Sequence, residues 1–383
     1  MQRDTRINVL NIGLMLFSCV AAFIMPFEVF LFAYAILGPL HYLTEISWLH
    51  DRQYFSKGKY DYVVLVALGL LITWDYLAYR YHFFPYGGDA NDRYETAMQL
   101  GLGDKLLLLA LFGSIIMAFV KNVPIKLISL FLLFAFINNW LRPTTDDNGE
   151  YVRNQSTILY VLTSFVPTLI HVYVFTGFFI LFGALKSRSK SGLISFFVFV
   201  ACPILLIVLF QNETFVHVTK YGMDSYGSTK SLDGFFDLNQ SILNKFFHYN
   251  VNYSTAKTED QAQQMVYTQW MNYVYYSKAG ILLMRFIAFA YLYHYLNWFS
   301  KTEVIRWHKV PKKRFIAVII LWIASLGVYA YNYAIGLQWL FFLSFSHVLL
   351  EFPFNFVSIA GIGKELRVIS KHGFKPQPAP VKK

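Results

Sequence analysis

The chain has 383 residues, 56% of them hydrophobic and only 14% charged, with a formal net charge of +11 and a mean hydropathy of +0.43. Soluble domains carry roughly a quarter charged residues, so this composition excludes an ordinary soluble globular protein. The two cysteines, Cys19 and Cys202, both lie in apolar runs, and neither a disulfide framework nor a CxxC metal motif is available.

Ten apolar spans follow in chain order, at about 7–25, 28–49, 61–80, 104–120, 124–141, 157–185, 192–211, 270–299, 314–332 and 335–361. Each approaches the length of about 20 residues that a helix needs to cross a bilayer. None shows the apolar/polar alternation of a membrane β-barrel. The expected fold is therefore an all-α polytopic membrane bundle of about ten transmembrane helices. The stretch LFSC ending at Cys19 is like a lipoprotein cleavage site, but the apolar run continues through VAAF, so an uncleaved first helix is expected. With an even number of spans, 22 lysines and arginines fall on the side of the two termini and 9 on the other. The positive-inside rule then puts both termini in the cytoplasm.

Residues 1–366 are expected to form one transmembrane domain and 367–383 a basic, flexible cytoplasmic tail. The long outer segment 212–269 contains GFFDLNQSILNKFFHYN, whose apolar residues share one helical face, as in a helix lying along the membrane surface. The basic clusters VPKKR and KELRVISKHGFKPQPAPVKK face the cytoplasmic leaflet, where anionic lipids are the expected partners; no nucleic-acid-binding module is visible. The expected location is a bacterial inner membrane. Four Asn-x-Ser/Thr sequons, at Asn154, Asn212, Asn239 and Asn252, lie in outer loops, and DDNGE (146–150) lacks EF-hand spacing and reads as a solvated turn.

An ionisable group inside a span costs several kcal/mol unless it is paired, so such residues point to function. They are His41 and Glu45 in span 2, Asp75 in span 3, His171 in span 6, Arg285 and His294 in span 8, and His347 and Glu351 in span 10. The four histidines lie on spans that run in the same direction, at depths of about 10 to 25 Å counted at the helical rise. Imidazoles converging from four helices are a metal-site pattern suited to iron, copper or zinc. Glu45 follows His41, and Glu351 follows His347, by four residues, so each pair shares a helix face one turn apart. Either glutamate could ligate directly, giving room for two metals, or accept the second ring N–H of a histidine. A lone buried histidine more often bonds a carbonyl on the next helix, and His294, between Tyr293 and Tyr295, also fits an aromatic interfacial belt. Arg285 is expected to snorkel or to pair with Asp75, which itself fits a proton relay.

GPLHYLTE (38–45) resembles the first motif of the Brp/Blh-type bacterial β-carotene oxygenases, with Tyr42 where that family has glycine and Glu45 where it has aspartate. FAYLYHYLNW (289–298) is similar to that family's aromatic histidine helix, and SFSHVLLEF to its closing histidine segment, with Ser346 in place of proline. The likeness covers about 40 residues. It implies a polytopic helical fold and Fe(II) held by histidines, with His41, His294 and His347 carried over individually; His171 joins them by its position alone. It further implies dioxygen-dependent cleavage of a carotenoid-like substrate.

Three functions follow. The first is a membrane oxygenase with iron on His41, His171, His294 and His347, Glu45 and Glu351 assisting, and a lipophilic substrate entering from the bilayer. The second is a proton- or ion-coupled transporter using the same residues with Asp75. The third is a non-catalytic subunit of a larger membrane assembly. The absence of Walker, GxGxxG and CxxCH motifs argues against nucleotide-driven and c-haem chemistry.

Overall fold

The structure, a computed structural model, describes residues 2–80, 101–142, 144–145, 151–152, 156–210, 212, 215–227, 235–252, 254–301 and 310–375. Its helices are α1 (Gln2–Ile24), α2 (Pro26–Asp51), α3 (Asp61–Arg80), α4 (Leu102–Phe119), α5 (Val123–Trp140), α6 (Thr157–Ser187) and α7 (Lys190–Phe210). Then come α8 (Lys220–Tyr226), α9 (Phe235–Phe247), α10 (Glu259–Tyr276), α11 (Lys278–Ser300), α12 (Lys312–Tyr331) and α13 (Tyr333–His372). One two-residue antiparallel pair, Thr144↔Val152 and Thr145↔Tyr151, joins α5 to α6.

Ten of these helices are long and apolar enough to cross a membrane, matching the ten expected spans. On α5, Leu127, Ile128, Phe131 and Phe136 are each at least 60% exposed, an apolar surface that a protein in water does not present over a whole helix. The chain is thus an integral multi-pass membrane protein, all-α in class.

Several boundaries differ from expectation. Ser277 breaks the helix inside 270–299: its hydroxyl accepts from Gly280 N–H at 3.0 Å, ending the outer helix α10 and starting the span at Lys278. A Cβ on Gly280 would collide with the Tyr273 and Val274 carbonyls, so the elbow requires glycine. The last helix continues to His372, past residue 366 where the bundle was expected to end. Gly38-Pro39 does not break α2. A π turn over Ala33–Leu37 absorbs the missing proline N–H, with Gly38 N–H donating to Ala33 O five residues back.

The chain divides into two compact units. Unit 1 comprises 1–41, 179–338 and 372–383. Within it α11 is the central helix, with Ile281, Met284, Ile287, Phe289 and Tyr293 fully buried, packed by α1, α7 and the start of α2. The outer segment also belongs to this unit. The α9 apolar face packs on protein: Phe235 meets Phe30, Tyr34 and Tyr291, while Phe236, Ile242 and Leu243 are buried. Phe246 and Phe247 remain exposed, leaving only that end for a membrane surface. Asn239 Nδ2 donates to Tyr226 Oη at 2.9 Å. Burial pushes the Tyr226 and Tyr275 phenols above their ordinary range, so both stay neutral.

Unit 2 comprises 42–178 and 339–371. Here α4 packs against α3, α5 and α6, and Leu108, Ile137, Leu141 and Leu159 form a core cluster. Lys126, counted from the sequence as a loop charge, is buried and bonds Asp61 at 2.6 Å. At Gly69 a Cβ would stand 2.9 Å from Ser346 Oγ, so glycine lets α3 close on the α13 turn that carries His347.

Candidate metal centre

Two imidazole pairs form, one in each unit. In unit 1, His294 Nε2 lies 3.0 Å from His41 Nε2, with ring planes at 79°. Tyr295 and Trp298 pack on the His41 ring at 5.1 and 5.4 Å between centroids. His294 is 6% exposed, so it is not a member of an interfacial belt.

In unit 2, His171 Nε2 lies 3.2 Å from His347 Nε2. Glu351 Oε2 stands 3.3 Å from His171 Nδ1 on the opposite side of the ring. Tyr42 stacks on His347 at 4.2 Å with planes 23° apart. A Glu45 carboxylate oxygen is within 4.8 Å of a His347 ring nitrogen. All of these side chains are at most 3% exposed.

Local structure explains the placement. His171 lies in a 15-residue π-helical stretch, Val161–Phe175, of α6. The wider π turn carries more side chains per unit length on one face and recurs at functional sites. On α13, the four-residue spacing of His347 and Glu351 puts both on the face that meets His171. The alternative in which Glu351 reaches round a histidine to its second nitrogen is the arrangement found.

The donor set fits a metal. Metal–imidazole bonds of about 2.0–2.1 Å place neighbouring ligand nitrogens about 3 Å apart, and the two Nε2···Nε2 distances meet this without movement. An N–H···N hydrogen bond has the same length, so the carboxylate matters. Glu351 beside Nδ1 favours the His171 tautomer with its proton there, leaving an Nε2 lone pair facing His347.

Other candidates have structural roles. Asp75 Oδ2 accepts from Gly103 N–H at 3.0 Å, capping the first turn of α4. Asn138 accepts from Lys105 Nζ at 3.1 Å. Arg285 does not snorkel: it is fully buried, and its guanidinium donates to the Phe23 and Phe215 carbonyls at 3.2 and 2.5 Å while covering the Phe23 ring. It thereby satisfies the end of α1. DDNGE, Asn154, His82 and His308 lie outside the described residues. In the sequence Tyr42 stands out only as a departure from the family motif, with no role; it is adjacent to His41, but its stacking partner is 305 residues away.

Comparison with known proteins gave no match, whether to family models, to curated proteins or to solved structures.

Proposed function

We propose that this chain is a membrane oxidoreductase that holds Fe(II) with His41, His171, His294 and His347 and acts with dioxygen on a lipophilic, carotenoid-like substrate. The observation that carries the reading is the pair of buried Nε2···Nε2 contacts at 3.0 and 3.2 Å, one of them backed by a carboxylate. Bound iron would supply the one-electron chemistry that dioxygen needs. Glu351 orients His171 and holds its Nδ1 proton. Glu45 offers a carboxylate beside His347. Tyr42, Tyr295 and Trp298 wall the imidazoles and fix their ring orientations. The bilayer delivers the substrate sideways, and the basic ends of the spans hold the protein among anionic lipids of a bacterial inner membrane with both termini cytoplasmic.

Elemental analysis of the purified protein tests this. The expected result is stoichiometric iron, reduced in both His41→Ala and His347→Ala. Two irons per chain would assign one ion to each imidazole pair. Metal-free protein whose proton-coupled uptake disappears in Asp75→Asn would replace the oxidoreductase with a transporter; metal-free protein always found with the same partners would make it an assembly subunit.

A further inference from the structure

The polar residues of α13 extend beyond those assigned to the metal centre. At 100° per residue, His347, Glu351, Asn355 and Ser358 fall within about 80° of one another, over about 17 Å of helix. All four are buried, at 3%, 1%, 1% and 0% exposure. Ser344 and Glu365 lie on the same arc before and after them. Off the arc the helix is largely apolar: Val348, Leu349, Leu350 and Phe352 pack inside the protein, and Ile359 is exposed.

Two members of this stripe have no hydrogen-bond partner. Neither Asn355 Nδ2 nor Oδ1 is bonded, and Ser358 Oγ is equally without a partner. Among other buried helix serines, Ser18 returns to Leu14 O and Ser325 to Leu321 O, both at 2.8 Å, while Ser346, next to His347, does not. Ser358 does not take that option, and an asparagine amide has four hydrogen bonds to fill. Buried polar groups left unpaired by protein are satisfied by ordered water, which makes about three bonds per molecule.

We infer that this face of α13 lines a hydrated path bringing water to Glu351 and His347 from the helix end that carries Lys364, Arg367 and Lys371. Asn355 and Ser358 are its ligands for water. The inference does not depend on a bound metal, since the unpaired groups lie one and two turns beyond Glu351.

Cysteine accessibility in the full-length protein in liposomes tests it, in a Cys19→Ala/Cys202→Ala background. The thiolate, which forms in water and not in hydrocarbon, attacks a charged, water-soluble methanethiosulfonate, forming a mixed disulfide and releasing methanesulfinate; N355C and S358C should label at least about ten-fold faster than I359C. Adding Ser358→Leu should slow labelling at N355C, because the bulkier side chain blocks the path before the deeper site. Labelling at 355 and 358 no faster than at 359 overturns the path, and N355C labelling untouched by Ser358→Leu overturns its entry end. Should a cysteine variant fail to fold, hydroxyl-radical footprinting of the unsubstituted protein decides: modification of the peptide spanning 347–358 above the level of α5 is expected, and an equal level sinks the inference.

Discussion

At His171 one ring nitrogen faces a second imidazole and the other faces a carboxyl group, so its tautomer is set by its neighbours. Glu351→Gln keeps the volume but replaces a carboxyl oxygen with an amide, and should weaken iron retention by about 10- to 100-fold, the usual effect of losing an outer carboxylate. The measurement is residual iron after titration with a chelator; unchanged retention would show that Glu351 does not orient the ligand. Two buried cations outside the centre give predictions of stability. Lys126→Met strands the Asp61 carboxylate and should cost about 3–5 kcal/mol, whereas Lys126→Met with Asp61→Leu should recover most of it, since a buried pair is dearly solvated to begin with. Arg285→Met leaves the Phe23 and Phe215 carbonyls without their charged donor and should cost about 2–3 kcal/mol. Thermal unfolding of the detergent-solubilised variants reads both.

Among the elements, the histidine helices were legible because four residues is one turn: His41 with Glu45 and His347 with Glu351 share a face whatever the bundle does. The π stretch in α6 was not, because its register depends on packing and only Pro167 marks the segment in sequence. Ser277 is similar. A serine before lysine and glycine in an aromatic stretch carries little signal until its hydroxyl is seen capping α11. The outer helix α9 shows the same division: its amphipathic pattern was plain, but the surface covering it is protein along most of its length. Asn239 is fully buried there and bonded to Tyr226, while Asn252 is exposed. Expressed in a eukaryotic secretory host, the chain should therefore carry a glycan at Asn252 and none at Asn239, as read by mass spectrometry of the treated and untreated peptides. A glycan on Asn239 would mean that α9 is not seated as described.

For the whole molecule, the charge asymmetry predicts that reporters fused to either terminus report the cytoplasmic side: green fluorescent protein should fluoresce and alkaline phosphatase should stay inactive at both. Opposite outcomes at the two ends would require an odd number of spans. The number of spans and the all-α class followed from sequence alone, because hydrocarbon demands about 20 apolar residues per crossing and backbone bonds satisfied within each segment. The residues worth watching followed as well, since an imidazole or carboxylate in such a segment is costly without a partner. Which partners they have was decided only by tertiary structure. His171 meets His347 across 176 residues and His41 meets His294 across 253, and nothing in local periodicity encodes an approach over that distance. The same holds for Arg285, whose carbonyl partners lie on α1 and in the outer segment, because side-chain partners across a bundle depend on how helices rotate about their axes, a freedom that apolar composition leaves open.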